Sequence, residues 1–518
     1  MKKKILALVL VLAIMIGTVG CSSSSSSSAE SGKTSESNGT STSTETSEPE
    51  ADVEDGETYT IKLIFPTMMT IPSDEAIEDV ENGINDYLAQ NGHADLKLDI
   101  VFESLTNYTS DVNMQLASKA PMDIIYTGDL PTAVSNGYLT DLTPYLHNEL
   151  SGAYDVIKDW IDCGTINGTV YAIPCYKGQV LSWKYIYNED YGDAYDMDSI
   201  KSLDDLDAAF AAMKAKYPDE YFGAYTNQYN VLKNFETHTS QVGTYFATVG
   251  DDPTLVNYFE TDAFKEGIKK AYEHRQKGYV DPEGSTNTQS HDALVLSGAV
   301  KGVIMGHAYS IDTVEKMFDS NNSYGAKFKA VQIATSDMTT NTLTYGIPYT
   351  SKNPAKAAEM MNLIWTDEFI ASTLIYGLEG KSWVWNDDHT SIEYPDGLGI
   401  DTVPYTALYT CGAFGNQFLL YGFDQNTSEA DKTFMKDLLD NAWYPPLFGF
   451  IPDANKVSTQ VAAISNVYKQ YYDTLVYGDV DPDVYLPQFL DALEQAGIDD
   501  VMKEYQSQVD AWLAAKNK

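Results

Sequence analysis

Side chains able to do chemistry are plentiful in this sequence, but few are arranged to do it. Seven histidines lie scattered, with no His-x-x-x-His pair beside a glutamate, so the zinc-hydrolase pattern is missing. There is no Gly-x-Ser-x-Gly elbow to present a nucleophile and no glycine-rich loop to cradle phosphate. Asp479-Val-Asp-Pro-Asp483 has the acidic alternation of a calcium loop. Val484, however, stands where the turn needs glycine, and Leu490 where a bidentate glutamate belongs. That segment reads as a charged turn capping a helix. The four cysteines, Cys21, Cys163, Cys175 and Cys411, match no zinc knuckle. Asp and Glu total 75, and no pair stands out as the two carboxylates of a glycosidase. The pattern implies no enzyme, no metal and no cofactor.

The chemistry it does suit is binding. Tyr, Phe and Trp make up 12% of the chain, while Arg275 is its only arginine. Arginine is the usual planar fork for carboxylates and phosphates, so its scarcity argues against an anionic ligand. Flat aromatic rings cover the apolar C–H face of a sugar, and Asp, Asn and Glu accept from its hydroxyls. Candidates follow from their places in the predicted strands and loops. Tyr126 and Asp129 follow one strand, Trp160, Tyr176 and Lys177 are further candidates, and Trp183 lies on the next strand. His307 and Tyr309 end a later strand, and Trp383 and Trp385 lie in a glycine-flanked loop. Aromatic rings among carboxylates also suit a cation, such as a polyamine or quaternary amine.

These residues need a scaffold, and its elements can be read along the chain. Tyr59–Phe65 alternates as a strand, and Ser73 caps a helix whose Ile77, Val80, Ile84, Tyr87 and Leu88 share one face. Leu96–Phe102 and Met122–Tyr126 are further strands separated by a helix. This β-α-β-α-β order predicts a parallel sheet with its ligand loops at Pro66–Ile71, Glu103–Tyr108 and Thr127–Leu130. Asn167-Gly168 supplies the positive φ angles of a tight hairpin turn, and Pro174 then ends the pairing. Later strands are expected at Trp183–Tyr187, Val300–Gly306, Phe328–Ile333 and Leu343–Tyr349, and mostly helix beyond Ser351.

The two ends of the charge scale and of the chain complete the reading. The formal net charge is −42 over 518 residues. That excludes nucleic acid and a polybasic grip on anionic lipid, both of which need a dense basic face. Met1–Lys4 is basic, Ile5–Ile16 is continuously apolar, and small residues run to Gly20 before Cys21. This order is a secretory signal over residues 1–20, too short for a settled membrane span. Residues 21–57 are almost all Ser, Thr, Glu and Gly, which predicts a disordered tether.

Cys21 directly after the small-residue site resembles a bacterial lipoprotein signal, which implies a lipid on its thiol. Met114–Tyr126, Ile166–Pro174 with the strand to Asn188, Tyr258–Phe264 running to Tyr279, and Ile347–Ala358 resemble stretches of the family 1 extracellular solute-binding proteins of carbohydrate ABC transporters. Tyr376–Lys381, Phe414–Phe418, Pro446–Phe450 and Ala496–Asp499 resemble the C-terminal domain of unknown function carried by one subgroup. The resemblance covers nearly all of residues 58–518. It implies an α/β, two-lobed periplasmic-binding-protein-like fold of type II, with crossing hinge strands and a largely helical C-terminal region. By analogy the first lobe is 58–173 plus about 342–375, and the second is 174–341 plus about 376–518. The resemblance further implies a neutral sugar or oligosaccharide held between the lobes by hinge closure. The implied partners are ABC permease subunits, with the chain a monomer anchored to the outer face of the cytoplasmic membrane. The rival readings are a binding protein for a cationic ligand, a surface glycosidase, and a surface sensor without transport.

Overall fold

The computed structural model describes residues 58–68, 70–225, 238–339, 343–407, 414–423 and 428–516. The predicted signal, Cys21, the tether and Cys411 lie outside the described residues. The chain opens with β1 (Tyr59–Thr67), α1 (Asp74–Gln90), β2 (Leu96–Ser104), α2 (Leu105–Ala117) and β3 (Ile124–Tyr126). The Ser73 hydroxyl accepts from the Ala76 N–H, and Asp74 and Glu75 face the positive end of the α1 dipole. Val80, Ile84 and Leu88 then bury one face of α1, while alternate β2 residues Leu96, Leu98, Ile100 and Phe102 are buried beneath it. The expected loop after β2 is absent, because α2 begins directly at Leu105.

After α3 (Leu130–Ser135) and α4 (Ser151–Ile157), a short hairpin pairs β4 (Thr165–Ile166) with β5 (Thr169–Val170). Its turn residues Asn167 and Gly168 have φ values of 52° and 83°, the left-handed pair that a primed turn requires. β6 (Ile173–Pro174) completes the first sheet together with β13 (Thr344–Gly346), which returns from far along the chain. The order is β2-β1-β3-β13-β6, with β1, β2 and β3 parallel and β13 antiparallel to both neighbours.

Between these visits the chain builds a second body: β7 (Ser182–Asn188), α5 (Leu203–Lys216), the sheet of β8 (Thr239–Val242), β9 (Phe246–Val249) and β10 (Asp252–Asn257), α6 (Asp262–Gln276), α7 (His291–Leu296), β11 (Gly302–His307), α8 (Ile311–Asn321) and β12 (Phe328–Thr335). β7 lies between β11 and β12 and runs antiparallel to both. The edge of β12 is blunted by α8, since Glu315 accepts from the Ala330 N–H and Asp319 from the Phe328 N–H.

Beyond β13 come α9 (Pro354–Thr366), α10 (Glu368–Tyr376), the hairpin of β14 (Val384–Trp385) and β15 (Ile392–Glu393), α11 (Glu429–Asp440), α12 (Ser458–Val476), α13 (Pro482–Ala496) and α14 (Ile498–Lys516). Here the expected boundary needs correction. Tyr376, Trp383, Ile392, Tyr405, Phe414 and Phe423 pack in the first core with Leu63, Phe65 and Trp365, not in the second. The cause is local. Gly377, at φ 79°, ends α10, and the chain folds back on it. Trp383 Nε1 donates to the Gly377 carbonyl at 2.9 Å, and the Tyr405 hydroxyl donates to that of Leu374 at 2.9 Å. The last three helices join the second core, where Tyr472, Phe489, Val501 and Val509 meet Phe259 and Phe264. Each such side chain contributes about 1.5–3 kcal/mol of burial.

Candidate ligand-binding cleft

Three passages of chain lie side by side between the two bodies. The first, Cys175–Leu181, leaves β6 for β7. The second, Ser336–Thr339, follows β12, and Leu343 precedes β13. They are tied at both ends: Cys175 N–H donates to the Leu343 carbonyl at 2.9 Å, and Leu181 and Ser336 exchange bonds of 2.9 and 2.8 Å. A third passage begins at Phe414. There Tyr176 N–H donates to Gly415 O at 2.9 Å, and Gln417 N–H to Tyr176 O at 2.8 Å. A small hinge core of Trp160, Val180, Met338, Leu438, Leu439 and Phe448 surrounds these strands.

Both sheets bring strand ends to the passages. In the first lobe the carboxyl ends of β1, β2, β3 and β6 share one edge, because β13 is antiparallel to both β3 and β6. In the second, β11 ends at His307 and β12 at Thr335, both in register with Ser182. Carboxyl ends of strands are where α/β sheets take ligands. At the ends of the first-lobe strands Met68, Ile71 and Leu105 are 46%, 46% and 42% exposed, and Asp129 is exposed as well. Thr127 lies there too, its hydroxyl 2.6 Å from that of Thr344. These residues lie in the segments Pro66–Ile71, Glu103–Tyr108 and Thr127–Leu130 that the strand order assigns to the ligand, although Met68, Ile71 and Leu105 were not singled out as candidates.

The predicted site residues divide into those at the passages and those elsewhere. Tyr126 is half-buried between Tyr108 and Tyr345, at ring distances of 5.7 and 5.8 Å, and burial raises its hydroxyl pKa. Asp129 precedes α3 and accepts from the Thr132 hydroxyl at 2.6 Å. Tyr176 is half-buried on the first passage, its ring 5.0 Å from Trp160 and 5.0 Å from Phe418. Trp160 itself is hinge core, and its Nε1 donates to the Tyr444 hydroxyl at 3.3 Å. Lys177 is buried on the same passage, and desolvation lowers its ammonium pKa. His307 and Tyr309 lie together at the end of β11, rings 6.2 Å apart and nearly parallel. Burial pushes the His307 imidazole down to about 3, with Lys184 and His291 adding to the effect.

Trp183 and the Trp383–Trp385 pair are not at the passages. Trp183 points into the second core, 1% exposed. It alternates on β7 with Ser182 and Lys184, and the odd positions Trp183, Tyr185 and Tyr187 face the second core, where the Tyr185 ring meets Phe210 of α5 at 5.3 Å. Trp383 is first-core packing, while Trp385 sits half-buried against Tyr421 at 5.1 Å on the β14–β15 hairpin. Conversely, Trp443 and Tyr444, which follow α11, and His238, which precedes β8, come to the hinge without having been predicted. Trp443 O accepts from Met338 N–H at 3.0 Å, and its ring lies 4.8 Å from His238. His238 N–H in turn donates to Asp337.

The remaining chemistry is quiet. Cys163 and Cys175 are buried thiols, each pushed up to about 12 by desolvation. Asp481 caps α13 by accepting from Asp483 N–H at 3.0 Å, as expected of a charged turn. Among the described residues no group of three or more His, Cys, Asp or Glu could hold a metal ion. No helix among them is long and apolar enough to cross a membrane.

Comparison with known proteins agrees with this architecture. The family model described as bacterial extracellular solute-binding protein matches residues 78–368, and a domain of unknown function, DUF3502, matches residues 446–514. A carbohydrate ABC transporter substrate-binding protein of Streptococcus pneumoniae serotype 4 is 25% identical over 430 residues, 82% of this chain and 85% of that one. The crystal structure of an N-glycan transport solute binding protein from Streptococcus pneumoniae superposes with a TM-score of 0.74 at 22% identity, over 88% of this chain and 99% of that one. The same relative in complex with Man5GlcNAc gives 0.63 at the same identity and coverage. The fold is thus the two-lobed, type II solute-binding architecture.

Proposed function

This chain belongs to the bacterial extracellular solute-binding protein family, and on that premise we propose that it captures a neutral sugar or oligosaccharide between its lobes. Closure about the three passages brings the His307 end of the second sheet onto the Met68, Ile71 and Leu105 edge of the first. A ligand touching both walls stabilises the closed form only by its preference for that form. The closed form is then handed to an ABC permease. A lipid on Cys21 holds the protein at the outer face of the cytoplasmic membrane.

The observation that carries the neutral-ligand reading is the fate of the only arginine. Arg275 spends its fork on the carbonyls of Tyr477 and Asp281 and on Asp479, none of which belongs to the passages. Without it, a carboxylate or phosphate lacks its usual planar partner. The apolar edge, with Asp129 and Thr127, suits a ring with one greasy face and hydroxyls at its rim. The carbohydrate transport named for the relatives supports the same reading.

A thermal-shift screen tests it. The panel is Man5GlcNAc, kestose, maltotriose, a uronate trisaccharide, a sugar phosphate and spermidine. A ligand at 100 times its dissociation constant adds about 2.7 kcal/mol. A shift with a neutral saccharide that survives high salt is expected. A salt-sensitive shift with spermidine alone points to the cationic reading instead, and release of sugar product during incubation points to a glycosidase.

A further inference from the structure

We propose that Gln179, Ser182 and His307 form the deep end of the cleft, a pocket that reads the hydroxyl groups of the bound saccharide. The proposal rests on the reading above and adds its specificity-determining residues. Ser182 opens β7 and His307 closes β11, and they are register partners at the hinge end of the second sheet. Gln179 rides on the first passage beside Gly178. A β-carbon on Gly178 would lie 3.2 Å from that of Ala308, so the passage runs close against the residue following His307.

All three side chains are more than nine-tenths buried. Both ends of the Gln179 amide, the Ser182 Oγ and the His307 Nε2 have no hydrogen-bond partner among the described residues. Buried polar groups are nearly always paired, and each orphan carries a desolvation penalty. Three such side chains at one hinge are poor packing, so a binding role accounts for them better than a structural one.

Their chemistry selects the ligand. An amide and a hydroxyl each donate and accept, and a neutral imidazole does one or the other at Nε2 according to its tautomer. That mixture matches alcohol hydroxyls. A carboxylate or phosphate needs donors alone. The nearby cation is not free to help, because Lys184 Nζ already donates to the carbonyls of Tyr309, Ser182 and His307 at 2.9, 3.3 and 3.5 Å. The Tyr309 ring beside His307 offers a flat apolar face next to the polar trio.

The test compares the full chain with Ser182→Ala and Gln179→Leu. Saccharide affinity is measured by calorimetry on the Man5GlcNAc, kestose and maltotriose panel, and ligand-free melting is recorded alongside. The pocket predicts at least a tenfold loss of affinity in each variant, with a melting temperature unchanged or raised. Unchanged affinity overturns it and leaves the groups to ordered water only. A lowered melting temperature with affinity retained overturns it in favour of a structural role. If the wild type binds no saccharide at all, the proposed function falls and takes the pocket with it. If the wild type binds and the variants bind equally, only the pocket falls.

Discussion

Arg275 donates from both Nε and Nη2 to a single acceptor, the main-chain carbonyl of Tyr477, at 2.9 and 2.6 Å. The contact fastens α6 to the turn after α12, and Asp479 closes the pair at 3.3 Å. The guanidinium is nine-tenths buried, so its role is to hold the C-terminal helices on the second lobe. Arg275→Lys keeps the charge but loses the planar fork. Denaturant unfolding is expected to show a loss of about 1–3 kcal/mol, with saccharide affinity unchanged. Lost affinity without lost stability would place Arg275 in ligand binding and undo the neutral-ligand argument.

The apolar edge of the first lobe gives a second prediction, of opposite sign. Leu105 is 42% exposed at the start of α2, so nothing in the core depends on it. Leu105→Asp places a charge where a sugar face is expected to lie. Stability should move by no more than about 0.5 kcal/mol, while calorimetry shows at least a tenfold weaker saccharide. Unaltered affinity would move the ligand away from this edge.

His307 gives the fold a dependence on pH whose sign can be worked out. Its native pKa lies near 3, below the ordinary value of 6.5, because burial, with Lys184 and His291 nearby, disfavours the imidazolium. The unfolded chain therefore binds the proton more readily. The stabilisation is whole above pH 6.5 and drains away as pH falls toward 3. His307→Gln removes that term. Wild type and variant should diverge in urea unfolding by up to about 1.4 kcal/mol per pH unit across this window. Lys184, lowered to about 7 by desolvation, acts between pH 7 and 10.5 instead, where stability rises with pH. Parallel pH profiles for wild type and His307→Gln would contradict the buried, neutral histidine.

Much of this architecture is written in short-range signals. The Ser73 cap, the Asn167-Gly168 turn and the alternation of Leu96 to Phe102 act over a few residues, and each appears where the pattern places it. Tertiary choices are written differently. Nothing in the spacing of Trp383 says that its indole will find the carbonyl of Gly377, yet with that bond Tyr376, Trp383, Ile392, Tyr405, Phe414 and Phe423 join the first core. Trp183 looks like any aromatic on a strand. Only the partners of β7 decide that Trp183 packs in the second core while Ser182, on the other face, stands in register with His307. Met68, Ile71 and Leu105 have meaning as a group only once three strands are set side by side.

Closure of the lobes over a neutral guest is the central claim, and small-angle scattering reads it directly. The radius of gyration should fall when a neutral saccharide from the panel is added, and stay constant with a uronate trisaccharide or a sugar phosphate. Compaction by the charged compounds with none by neutral sugars would contradict the account.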